Sequence, residues 1–202
     1  TLMPRWGWIA LVIALFGAWH WWDYERPASH PPGVIAAQAP QQVDLDPSPS
    51  FEFKSRSLIK RARYELTVRV LRKEIYRLDD AASLAPVDLA VGWGRMSDSA
   101  ILDQLAITQM GRFFYWQPRN DATFSVPREA LVTEAAQIHA IPATSTIERA
   151  VRRLRPGQVV SLSGYLVDVR GPGGFTWRTS LTRTDTGNGA CEIMWIEALT
   201  VQ

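Results

Sequence analysis

The sequence predicts an α+β protein: one N-terminal transmembrane helix plus a mixed domain. That domain is expected to hold a curled antiparallel sheet or partly open small barrel, OB-like or SH3-like, with two to three helices. Three observations carry this expectation. An uncharged run flanked by tryptophans opens the chain, prolines crowd the segment behind it, and residues 158–202 alternate β-formers with glycine turns. The divisions that follow are an anchor over residues 1–22, a Pro-rich tether over 23–50 and a globular extramembrane domain over 51–202, with a C-terminal β-meander over 158–202. A chain of 202 residues leaves room for one such domain with a real core.

The anchor is read from residues 6–22. WGWIALVIALFGAW carries no charge, and His20, Trp21 and Trp22 extend the uncharged run to about 25 Å as helix at ~1.5 Å per residue. That is short against a hydrocarbon core of ~30 Å, so the flanks must carry the assignment. Trp6 and Trp8 at one end, with Trp19, Trp21 and Trp22 at the other, are placed as two headgroup-level aromatic belts. A cleaved signal peptide is the rival, but bulky Trp-His-Trp-Trp stands where a small-x-small site belongs. The expected setting is a bacterial inner membrane crossed once, with the N-terminus cytoplasmic and the domain periplasmic. Membrane lipid and other subunits of a membrane complex are the expected partners.

The tether holds six of the thirteen prolines and little apolar periodicity, the composition of a semi-rigid spacer. Within it, Pro31, Pro32, Val34 and Ile35 form a short apolar run of the kind that lies in a partner's groove.

In the domain, Tyr64, Leu66, Val68 and Val70 alternate with Glu65, Thr67 and Arg69, the period of a half-buried strand, and 51–59 is its expected neighbour. Nine basic residues and two acidic ones lie between Lys54 and Arg77. Arg61, Arg63 and Arg69, with the distant Arg178, are candidates for an anion-binding or partner surface; the competing reading is a solvated sheet face. Ser97 and Asp98 suit the start of a helix carrying Ile101, Leu102 and Leu105. Gly92-Trp93-Gly94 marks a sharp reversal, and residues 112–116 read as an aromatic-rich strand over a core or interface. Ser145 and Glu148 form an S-x-x-E capping box, followed by Ile147, Ala150, Val151 and Leu154 on one helix face. Gly164 sits mid-strand, as at a barrel corner.

Chemistry-bearing motifs are scarce. No H-E-x-x-H, G-x-S-x-G, C-x-x-C or P-loop occurs, and two of the three histidines fall in the anchor and tether, so neither a metal site nor a cofactor is expected. A formal net charge of +2 argues against nucleic acid as a partner. Cys191 paired with His139, oriented by Asp185 or Glu192, is the one arrangement that would suit a thiol hydrolase. Against it, Cys191 stands in register with Ile193 and Trp195 and looks like a small core residue. The leading expectation is a non-enzymatic accessory or scaffold subunit that binds partner subunits. The alternatives are a binding module for an anionic lipid or polymer, and the Cys191/His139 hydrolase.

Overall fold

The computed structural model describes residues 6, 8, 9, 11–17, 26–78, 81–183 and 190–202. It is mostly sheet, 44% strand against 20% helix. Among the described residues there are ten strands: β1 (Gln41–Asp44), β2 (Ser50–Phe53), β3 (Arg56–Ile75), β4 (Val87–Gly92), β5 (Leu105–Met110), β6 (Phe113–Pro118), β7 (Ala135–Pro142), β8 (Val159–Arg170), β9 (Thr176–Trp177) and β10 (Glu192–Val201). Three short helices interrupt them: α1 (Ser99–Leu102), α2 (Arg128–Val132) and α3 (Ser145–Arg153).

The transmembrane part of the expected fold is overturned. Among the described residues no helix is long and apolar enough to cross a membrane. Trp6, Trp8, Ile9 and residues 11–17 are helical. They fall between Trp6 and Gly17, an interval of ~18 Å as helix against a hydrocarbon core of ~30 Å. Trp19, Trp21 and Trp22, the second of the two expected belts, lie outside the described residues. The single-pass inner-membrane placement loses its support with the span.

The domain departs from the expected α+β mixture because its longest element is a 20-residue strand. Residues 56–75 form one continuous β3 in place of two neighbouring strands. β3 pairs with β4 at one end and β8 along the other edge, and the path β3–β4–β7–β10–β8 returns to β3. These five strands close a barrel, which removes their open edges. β7 and β10 run parallel while the other pairs are antiparallel, so the sheet is not the antiparallel one expected. β10 does not meander on from β9 but inserts between β7 and β8. The barrel fits an OB-like form only loosely, since β1, β2 and β9 flank it and a separate two-stranded hairpin, β5–β6, is inserted between β4 and β7.

Period-2 alternation explains the interior. Tyr64, Leu66 and Val68 of β3 meet Leu89, Ile138, Leu162 and Met194 in the central core. α3 closes one end with Val151 and Leu154. Its N-cap is Thr144, whose Oγ1 accepts from the Ile147 amide at 3.2 Å, so the capping residue stands one place before Ser145. Glu148 pairs instead with Arg152 one turn on, at 2.9 Å, and the expected Ser145–Glu148 box does not form. Gly164 lies where a Cβ would run into the Trp195 carbonyl oxygen, at the irregularity between Ile196 and Ala198 of β10.

Residues 26–40 run along the barrel instead of standing away from it. The Ala28 amide donates to Pro156 O at 2.8 Å, and His30 Nε2 donates to Gly157 O at 2.9 Å. Gly33 N reaches Asp98 Oδ1 at 2.8 Å, and the amides of Ile35 and Ala36 reach Ser97 Oγ at 3.2 and 3.1 Å. This strap leads directly into β1, which pairs with β3.

Candidate functional site

The inserted hairpin creates the most distinctive surface. Its turn is two residues long, Gly111 and Arg112, both at positive φ, +60° and +67°. That is the hairpin geometry glycine tolerates and arginine ordinarily avoids. Arg112 is held there from several sides. Its amide donates to Tyr76 Oη at 3.0 Å, its guanidinium lies 4.1 Å from the centre of the Tyr76 ring, and Nη1 is 3.0 Å from Asp88 Oδ1. Ile107, Phe114 and Trp116 then pack inward against Leu71, Ala90 and Met96 on the outside of the barrel.

Asp88 is fully buried on β4, opposite His139 on β7. His139 Nδ1 lies 2.9 Å from the same Oδ1 that meets Arg112, though poorly aligned for a hydrogen bond, and its ring rests 4.6 Å from that of Trp177. Among the described residues Asp88 Oδ2 has no partner. The carboxylate thus serves as a clamp between hairpin and barrel, with Trp177 of β9 closing over the histidine.

Behind the hairpin lies a concave pocket of about 280 Å³. Phe113 to Trp116 form one wall, and Gln137 and Glu192 of the barrel face them together with Arg183 and Cys191 of the β9–β10 connection. The Gln137 side-chain nitrogen is buried without a partner among the described residues. Glu192 turns toward the barrel interior near Tyr64, whose phenol is pushed well above its ordinary range by burial and by the Glu192 charge, against a smaller opposing pull from Arg183.

A second pocket, about 390 Å³, is framed by Arg61, Asp168, Arg170, Arg178, Thr179 and Leu181. Asp168 Oδ2 meets Arg61 Nη1 at 3.2 Å, and Oδ1 accepts from the Thr179 amide at 3.0 Å.

Of the residues singled out from sequence, Trp6 and Trp8 are exposed, and Trp19, Trp21, Trp22 and Asp185 lie outside the described residues. Pro31, Pro32 and Val34 are exposed and Ile35 is half-buried, on a strap whose backbone bonds are made to its own domain. The four arginines do not meet as a group. Arg61 and Arg178 share the second pocket, while Arg63 pairs with Glu65 and Glu197 at 3.0 and 3.1 Å. Arg69 is buried, donating to Ser97 O and Ser99 Oγ at 3.0 and 2.9 Å, and burial lowers its pKa against the opposing pull of Asp103 and Asp98. Cys191 is buried at the first pocket, and the strand register sets His139 beside Ile193. The imidazole packs on Trp177 with Asp88 beside it, and Cys191 stands two positions before Ile193 on the neighbouring strand.

Sequence reasoning missed Asp88, Arg112 as a clamp, Gln137 and Arg170. Asp88 carried one usable signal: a lone carboxylate inside the apolar run 86–91, where a buried charge demands a partner. No family model matches this chain, and no curated protein or solved structure matches it either. The class defined by fold and site is therefore structural: a closed five-stranded barrel with a clamped aromatic hairpin over a mixed-polarity pocket.

Proposed function

We propose that this chain is a non-enzymatic scaffold or accessory module that binds a partner protein through the β5–β6 hairpin. The observation that carries the reading is the hairpin itself. β5 and β6 pair only with each other, so among the described residues both outer edges are open, and the outward face shows Met110 at 73% and Tyr115 at 54% exposure. An open strand edge is a template for an added strand from another chain, and aromatic and methionine side chains are enriched at interface centres. The pocket of about 280 Å³ beside it has room for an apolar side chain of that partner, flanked by Gln137 and Arg183. The arginine clamp supports the same reading, because a recognition element docks with less entropic loss when it is already held in place.

The test compares the tagged full chain with Met110→Glu and Tyr115→Glu, purified gently and measured by native mass spectrometry. A partner recovered in fixed stoichiometry with the unmodified chain, and lost from both variants, supports the proposal. A lone chain under several gentle conditions, or a partner that both variants retain, would count against it.

A further inference from the structure

We propose that the pocket framed by Arg61, Arg170 and Arg178 binds a dianionic phosphate group. The argument begins on β8. Alternation puts Leu162, Gly164, Leu166, Asp168 and Arg170 on one face, and the first three of these face the barrel interior. The inward row therefore stops being apolar at Asp168, and the last two positions line the barrel mouth at the end opposite α3. Barrel mouths are common ligand positions because strand ends converge there around a concavity.

The charge count at this mouth is unbalanced. Three arginines and one aspartate line the pocket, and the carboxylate is already committed: Oδ2 to Arg61 and Oδ1 to the Thr179 amide. Among the described residues neither the Arg170 nor the Arg178 side chain has an acidic partner or a hydrogen bond. Two arginines without an acidic partner at one pocket leave a local excess of positive charge, which a shared anion would neutralise. Arg61 is the oriented member, since Asp168 fixes its guanidinium and Thr179 fixes Asp168. Arg170 ends a long strand opposite Thr176 of β9, and Arg178 directly follows β9 two residues beyond Thr176, so their backbones are held diagonally across the pair. Planar guanidinium forks match phosphate oxygens in pairs, and a cavity of about 390 Å³ accommodates the group with its hydration or a small organic substituent. The site is independent of the hairpin and does not rest on the scaffold reading.

The full chain should be titrated at constant ionic strength with inorganic phosphate and with glycerol 3-phosphate, followed by amide chemical shifts and calorimetry. Saturable binding is expected, with shifts centred on Arg170, Arg178 and Thr179. Arg178→Gln and Arg170→Gln should each weaken it about tenfold, the scale of one charge-assisted hydrogen bond. Arg178→Lys should recover only part of the loss, because it restores charge without the fork. Arg149→Gln, on the exposed face of α3, should leave affinity unchanged. Binding of both ligands identifies an esterified phosphate as an acceptable source, and binding of inorganic phosphate alone identifies the free ion. No saturable response to either ligand, or equal weakening in Arg149→Gln and Arg178→Gln, would overturn the proposal. Arg170 and Arg178 are both exposed, so their variants should fold, and circular dichroism of each checks this.

Discussion

Arg112 Nη1 sits 3.0 Å from Asp88 Oδ1, joining a turn residue of the inserted hairpin to a barrel carboxylate that has no exposed surface. The arginine side chain keeps 15% exposure, so the two partners are unequal when separated. Arg112→Ala leaves Asp88 in the interior without its cationic hydrogen-bond partner, and should cost about 3–5 kcal/mol of stability. Asp88→Ala leaves a partly exposed cation that still donates to the Ala85 carbonyl, and should cost less. Urea unfolding of both variants checks this, and equal losses would contradict the assignment of Asp88 as the buried member.

Tyr64 supplies a pH prediction. Its folded-state pKa is raised by burial, while in the unfolded chain it ionises at about 10. A raised value means the folded state holds the proton more tightly. The contribution is therefore complete below pH about 10 and is lost as pH climbs from there toward the folded value. Tyr64→Phe should flatten the alkaline decline in urea midpoint measured between pH 8 and 11. The same slope in both proteins would refute it.

Gly157 holds the strap. Its φ is +88°, and a Cβ there would run into the Ala28 carbonyl oxygen. Gly157→Ala should detach residues 28–30 as well as straining the backbone, at a cost of about 1–3 kcal/mol. Limited proteolysis should then show faster cleavage in that stretch, and an unchanged digestion pattern would show the strap to be held elsewhere.

The cap of α3 separates two adjacent hydroxyls. Thr144→Ala removes the acceptor of the Ile147 amide and should cost about 1 kcal/mol, whereas Ser145→Ala should be nearly neutral. Thermal unfolding of the two single variants distinguishes them, and a larger loss at Ser145 would restore the capping box expected from sequence.

Local patterns were readable where one residue's environment is set by its near neighbours. The 64–70 alternation and the Asp98 cap belong to this kind, although the helix that Asp98 caps ends at Leu102 and Leu105 opens β5. What was hidden is non-local. Nothing near residues 192–201 says that this strand will run parallel to β7 and not follow β9, because that register is decided by barrel closure. Asp88 and Arg112 lie 24 positions apart, and neither residue names the other. The N-terminal tryptophans misled for a different reason: aromatic crowding and absence of charge describe a membrane span, but a span also requires length, and the described helical residues do not supply it.

The two edges of β3 mature on different schedules during synthesis. One edge is satisfied by β1, β2 and β4, all close in the chain, while the other waits for β8, on the order of a hundred residues later. A ribosome-bound nascent chain will therefore display a long, half-paired ribbon for several seconds before its mate is made. Chaperone dependence and yield in a cell should consequently respond more to slowed translation between β4 and β8 than to changes anywhere on the finished surface.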